Sequence, residues 1–322
     1  MEERKASIKK FWYNDNTVGY IFSLPFIIGF LAFTLIPIAV SMYYSVTDYK
    51  LGQTPAFIGI QNYLDLLKDE RFINSVKVTL IYVVTSVPTK LIFALFVAYL
   101  LTQGRRGVTF YRSLYYVPSL IGGSIAVALV WKTIFSRKGL ANTILASLGL
   151  QKLSWLGDPK LSMGILVLMS AWQFGSSMII FAAGLKEIPG SYYEAAEIDG
   201  AGILRVFWQV MLPITKPILA TITIFAAVGQ WNSFQDTLLL MTNEKLFTLQ
   251  FILYRYINQA SSLSALIKNT SSTQMLQSLA TAQTATSVRM TVSVIVVIPI
   301  LCVYPFFQKY IVKGVMIGSV KG

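Results

Sequence analysis

Histidine is absent from this sequence, and cysteine occurs once, at Cys302. That excludes metal sites built on His or Cys clusters, internal disulfides and any histidine general base. Cys302 sits in an apolar run and reads as a small packing residue. Charge is also scarce: 13% of residues are charged, against about 25% in a soluble domain. Acidic residues are the scarcer sign, 14 against 27 Lys and Arg, for a net charge of +13. No basic stripe interleaved with aromatics accompanies that excess, so nucleic acid is not an expected partner. The positive-inside rule and contact with anionic membrane lipid explain the balance more simply. No H-E-x-x-H motif and no Walker A glycine loop occur, so neither zinc proteolysis nor ATP hydrolysis is expected of this chain.

What the sequence has in abundance is apolar residues, 55% of the chain, with a mean hydropathy of +0.61. About 20 apolar residues cross a hydrocarbon core, and six runs are long enough. The expectation is an all-α integral membrane protein with spans at about 18–46, 76–101, 113–135, 161–185, 218–240 and 288–312. A polar, basic tail precedes them at 1–17 and a short tail follows at 313–322. The first run is too long for a signal-peptide core and has no small-residue cleavage site after it, so it should stay attached. Pro25 and Pro37 predict kinks within it. A short helix is expected around Gln61–Lys68. Lys90 lies inside the second run, where it either faces a cavity or partner, or snorkels to an interface. Gly122-Gly123 in the third run allows close helix approach, and Tyr115 and Tyr116 suit an interfacial belt.

Between the fourth and fifth runs lies a polar island, 186–217, with the core sequence IPGSYYEAAEIDGAGILRVFWQVMLPITKP. Pro189 and Gly190 stop the preceding helix. Ser191 with Glu194 three residues later is a capping-box signature, so a helix is expected to start at Ser191 with Glu194 in its first turn. Asp199-Gly200 marks a turn, with a positive φ expected at the glycine. Leu204, Val206, Phe207, Val210 and Met211 then suggest a second apolar helix closed by Pro213. Two short helices joined by a glycine read as a docking element on a membrane surface.

The same residues carry a resemblance. Glu194-Ala195-Ala196, three residues, Gly200, nine residues, Val210, one residue, then Leu212-Pro213 closely resembles the EAA motif of the permease subunits of ATP-binding-cassette importers. Val210 in place of isoleucine is the one departure. The Asp199-Gly200-Ala201 version and the Trp155-Leu156-Gly157-Asp158-Pro159 stretch are similar to the carbohydrate branch, of maltose and glycerol-phosphate type. The resemblance implies the type I importer permease fold, with the island as a cytoplasmic coupling helix seated on an ATPase. Glu194, Ala195, Ala196, Asp199, Gly200, Val210, Leu212 and Pro213 would be the coupling residues. It further implies a homologous permease partner forming a heterodimer, two cytoplasmic ATP-binding subunits that use ATP and Mg, and an extracytoplasmic solute-binding protein. This chain would bind no cofactor itself. The location implied is a bacterial cytoplasmic membrane with both termini cytoplasmic. The first half of the chain resembles one of the two maltose-type permease subunits, and Gln230–Thr248 with the tail resembles the other.

The function expected is therefore ATP-driven import of a sugar or oligosaccharide. Trp172 and Gln173 in the fourth run, and Gln230, Trp231 and Asn232 in the fifth, offer aromatic faces and amides suited to sugar hydroxyls; the alternative for each is packing between helices. The long break at 241–287 is read as an external loop that reaches a binding protein, with a disordered linker as the other reading of its Ser/Thr/Gln-rich part. An ion-coupled secondary transporter would need buried Asp, Glu or His relays, and the spans offer only Asp236. An intramembrane enzyme would need a base or a carboxylate pair, and neither is present.

Overall fold

The computed structural model describes residues 15–49, 54–103, 107–269 and 286–319. Among them the protein is helical, apart from one two-residue strand pair, β1 (Thr47–Asp48) and β2 (Ala56–Phe57), joined antiparallel. Residues 1–14, which hold most of the N-terminal tail, 50–53, 104–106, 270–285 in the long loop and 320–322 lie outside the described residues. Two compact units can be described, one of residues 1–65 with 259–295, the other of residues 66–258 with 296–322.

In the first unit, α1 (Asp15–Phe30), a π turn (Leu31–Leu35) and α2 (Ile36–Ser45) run on as one apolar rod. Pro25 leaves α1 unbroken. Pro37 has no N–H for the usual bond one turn back, and the π turn before it absorbs the mismatch: Ile36 N–H donates to Leu31 O. None of the 18-residue window that marks this span is buried within the chain. Its end is pinned by α3 (Gln61–Leu66), where Asn62 donates to Ser45 O at 2.9 Å and Thr47 O at 2.8 Å.

In the second unit α4 (Glu70–Thr102) is the central helix. It starts ahead of the expected residue 76 because Asp69 caps it, accepting from Arg71 N at 2.8 Å and Phe72 N at 3.4 Å. Its small residues Ala94 and Ala98 are fully buried, which lets α8 (Pro159–Trp172), α9 (Gly175–Lys186) and α12 (Leu212–Trp231) approach closely. The core groups Val87, Leu91 and Leu101 with Met178, Phe181 and Leu185.

Three expected straight spans are interrupted. The third is two helices, α5 (Val108–Ile121) and α6 (Ile125–Ile134), bent by 96°. The Gly122-Gly123 pair breaks the helix, and Ser124 caps the next one by accepting from Val127 N. Gly122 also allows close approach, since a Cβ there would collide with Gln173. After α6, helix α7 (Leu140–Ser147) is organised by buried Asn142. Its amide donates to Leu153 O and accepts from Leu153 N, both at 2.9 Å, and from the Trp155 indole at 3.1 Å.

The fourth span is α8 and α9, bent by 45° at Gln173-Phe174. Ser119 ties the bend to α5, donating to Gln173 O at 3.1 Å and accepting from Ser176 N at 3.0 Å. The fifth span differs most. Its long apolar helix is Phe207–Trp231, so it begins before and ends before the expected 218–240. Asn232 to Phe234 interrupt it, and α13 (Gln235–Leu240) is a separate short helix.

The stretch expected to be an external loop from 241 is partly structured. A 3₁₀ turn (Glu244–Leu246) leads into α14 (Leu249–Asn269). Leu249 N donates to Thr79 Oγ1 at 2.9 Å, and Leu249, Phe251 and Leu253 are buried. The last helix, α15 (Thr286–Ser319), contains the sixth apolar run.

Candidate functional site: a coupling island and an intramembrane polar cluster

The polar island is built from both ends. At its start, α10 (Gly190–Ile198) begins one residue before the expected start. Ser191 is therefore inside the helix and not its cap, and Glu194 falls outside the first turn. The cause is Pro189, which fits just ahead of a first turn and needs no donor. At its end the expectation on backbone geometry holds. Gly200 has φ +69°. Ala201 N donates to Ala196 O at 2.9 Å, the long bond of a Schellman cap, just after the last helical bond from Asp199 N to Ala195 O at 3.0 Å.

The second half of the island is not a free surface helix. Ile203–Val206 (α11) passes through a π turn, Phe207–Met211, directly into α12. Pro213 does not close a helix. Its missing N–H falls in the first turn after the π turn, where Leu212 N reaches back to Phe207 O. Val210, Leu212 and Pro213 thus belong to the root of the fifth span.

The two faces of the island differ. Glu194, Ala195, Asp199 and Gly200 are exposed, whereas Ile188, Ala196 and Met211 are buried. Tyr193 packs onto the core beside Tyr99, and Tyr99 meets Phe207 edge-on at 6.2 Å between ring centroids. Burial, with Tyr99 beside it, pushes the Tyr193 hydroxyl pKa above its ordinary value. A cavity of about 500 Å³ lies behind the helix, lined by Tyr99, Thr102, Gln103, Lys186 and Tyr193 among others. The helix is thereby held against the ends of α4 and α9 and the root of α12, with its acidic face outward.

A family profile described as the binding-protein-dependent transport system inner membrane component matches residues 66–317. This chain belongs to that family. A probable ABC transporter permease protein, YesP of Bacillus subtilis (strain 168), is 43% identical over 244 residues, covering 75% of this chain and 78% of YesP. The arabinooligosaccharides transport system permease protein AraP of the same organism is 27% identical over 262 residues, covering 80% of this chain and 82% of AraP. The crystal structure of a bacterial ABC transporter involved in the import of the acidic polysaccharide alginate matches 99% of this chain and 100% of that one, with a TM-score of 0.73 at 20% identity. The fold is the type I importer permease fold: among the described residues four helices are long and apolar enough to span, and the count is six when each of the two bent pairs is taken as one span. The chain is a multi-pass membrane transport component that works with a solute-binding protein, and not an enzyme.

Within this permease the residues expected to face a translocation path take different places. Trp231 is buried, and its indole donates to Val296 O at 3.0 Å, so it joins the fifth span to the last helix. Asn232 donates to Val228 O of its own helix at 2.9 Å. Trp172 meets Trp131 edge-on at 6.0 Å, and Gln173 packs on Gly122. Gln230 accepts from Ser170 Oγ at 3.0 Å, and its side chain also interacts with the Tyr82 hydroxyl.

Sequence reading missed the groups that gather near Gln230. Tyr82 of α4 donates to Asp236 Oδ2 at 2.9 Å, and Ser233 donates to the same oxygen at 2.9 Å. Ser86, one turn beyond Tyr82, is fully buried, and its Oγ has no partner. Each buried polar group left unpaired costs about 1–3 kcal/mol. The signal available in the sequence was the spacing Tyr82, Ser86, Lys90, which repeats at four residues and falls on one helix face.

Proposed function

We propose that this permease carries a saccharide across a bacterial cytoplasmic membrane, driven by ATP hydrolysis in partner subunits. The observation that carries the coupling half of this reading is the two-faced island: an exposed acidic helix, Gly190–Ile198, closed by Gly200 and continuous through Phe207–Met211 with a spanning helix. Such an element can sit in a groove on a cytoplasmic ATPase and pass its movement to the fifth span. Glu194, Ala195, Ala196, Asp199 and Gly200 form the docking part, and Val210, Leu212 and Pro213 the transmitting root. On this reading the island faces the cytosol, and with six spans both termini do too. Two ATP-binding subunits use ATP and Mg, and a homologous permease completes the path as a heterodimer.

The saccharide half rests on relatives. AraP is named for arabinooligosaccharides, and a permease of Thermococcus litoralis, 30% identical over 228 residues, is named for trehalose and maltose. A related structure shows the alginate transporter in complex with its pentasaccharide-bound periplasmic protein. Trp172, Gln173 and Gln230 are the residues proposed to meet the sugar, with Trp231 and Asn232 fixing the helix that carries Gln230. The test is copurification from a tagged chain, followed by reconstitution with its binding protein. ATPase subunits and a second permease should copurify, and labelled oligosaccharide should accumulate only with ATP. Copurification of neither, or uptake driven by an ion gradient without ATP, refutes the reading.

A further inference from the structure

Two cavities adjoin at Tyr99, close to where α4 ends. The first is the polar one behind the island, about 500 Å³, with Tyr99, Gln103, Lys186 and Tyr193 in its lining. The second is a groove of about 710 Å³ between α4 and the root of α12, with Val87, Leu91, Leu95, Phe96 and Trp208 in its lining. Tyr99 lines both, and the chain neighbours Met211 and Leu212 line one each.

The chemistry of the two ends differs. In the polar cavity none of the described lining residues is acidic. Among the described residues nothing hydrogen-bonds the Tyr99 or Tyr193 hydroxyl, the Gln103 amide or the Lys186 ammonium. The cavity therefore offers a cation and neutral donors with no competing anion, which suits a phosphate. The groove is apolar. Apart from Tyr99 its polar lining residue is Thr223, whose hydroxyl donates to Leu219 O of its own helix at 2.7 Å.

The length of the groove decides between occupants. Val87 to Tyr99 is 12 residues of α4, about 18 Å along a helix. One leaflet of hydrocarbon is about 15 Å deep, half of a core of about 30 Å. A helix from a partner chain would run the whole core. A groove one leaflet deep, with a phosphate-binding cavity at its mouth, has the dimensions of a single phospholipid. Basic pockets between spanning helices at a membrane face bind anionic headgroups. A zwitterionic headgroup would add an ammonium that no described lining residue can pair.

We propose that these adjoining cavities bind one anionic phospholipid, its phosphate against Lys186, Tyr99 and Tyr193 and one acyl chain along α4. The phosphate bridges three elements, Lys186 of α9, Tyr99 of α4 and Tyr193 of α10, and so braces the island where it meets the spans. The site goes beyond the saccharide reading. Its assignment to the cytoplasmic leaflet alone rests on the coupling role given above.

The test uses the tagged full complex in detergent, with bound lipid counted by native mass spectrometry. Phosphatidylglycerol and phosphatidylcholine with the same acyl chains are titrated in competition. Wild type should prefer phosphatidylglycerol by about fivefold or more, the worth of one basic residue at an anionic surface. Lys186→Gln should remove that preference and Lys186→Arg should keep it. Leu95→Trp, which fills the groove, should lower retention of both lipids. Should Leu95→Trp fail to assemble, wild type still tests the acyl half: glycerol 3-phosphate at the same concentration should not displace the lipid. Displacement by it would mean that the polar cavity acts alone, and overturns the proposal. Equal retention of the two lipids by wild type, or a preference that survives Lys186→Gln, also overturns it. So does a photo-crosslinker placed at Phe96→Cys, in a Cys302→Ser background, that captures the second permease instead of lipid. These are binding measurements, so their failure leaves saccharide import standing, and a failure of saccharide uptake leaves them standing.

Discussion

Gly200→Val separates conformational cost from steric clash at the polar island and tests its proposed coupling role. The glycine stands at φ +69°, and a Cβ built there meets nothing within 4 Å. Valine therefore collides with no neighbour, and its cost is the left-handed backbone alone. For an ordinary L-residue that is about 1–2 kcal/mol, with a β-branched side chain at the upper end. A cost of 1–2 kcal/mol changes the population of the native cap by a factor of about 5–30. What loosens is specific: the bonds from Ala201 N to Ala196 O and from Asp199 N to Ala195 O, which end α10 and aim the chain at the fifth span. The expected phenotype is membrane insertion at wild-type level, with several-fold less ATPase copurifying or with hydrolysis no longer tied to uptake. Asn tolerates the left-handed region, so Gly200→Asn should keep most activity and Gly200→Ala should fall between. The assay is uptake per ATP hydrolysed in proteoliposomes, with ATPase retention measured on the same sample. Wild-type coupling by Gly200→Val, or Gly200→Asn worse than Gly200→Val, would refute the reasoning.

Further outcomes follow from other positions. Glu194 is exposed, so Glu194→Lys should leave stability unchanged and weaken ATPase retention, an effect that shrinks as salt is raised; loss of folding instead would show a structural role. Asn142→Ala strands the Leu153 N–H and the Trp155 indole and should destabilise the detergent-solubilised protein by about 1–3 kcal/mol per stranded group; an unchanged melting temperature refutes that. Shortening the chain between residues 270 and 284, part of a connection far longer than the usual 4–6 or so residues, should preserve assembly but reduce stimulation of ATP hydrolysis by loaded binding protein; full stimulation sinks the loop's proposed role.

The apolar runs, the scarcity of charge and the Glu194-to-Pro213 spacing were enough to place this chain in a membrane and in its family. Hydrophobic length and the turn chemistry of Asp199-Gly200 act locally, so they can be read without knowing what lies nearby in space. Where helices break is different. Gly122-Gly123 yields a 96° bend because Ile125–Ile134 finds a cap at Ser124 and Gly122 finds Gln173 against it, and that second partner is set by packing. Pro213 was read as a stop because proline ends helices in isolation. A π turn lets the helix continue through it, and the fifth span holds that turn in place.

The polar residues show the same division. Their presence in the spans was visible, but what each one meets was not. Trp231 is bonded to Val296, 65 residues away, and Tyr82 to Asp236, 154 residues away. Sequence alone thus determined which stretches are apolar enough to span a membrane and that the chain turns at Gly200. Tertiary structure alone decided which polar groups satisfy one another and which, like Ser86 Oγ, are buried without a partner. The physical reason is that burial and hydrogen-bond pairing depend on neighbours from distant parts of the chain, whereas hydropathy and backbone preference belong to each residue and its next few.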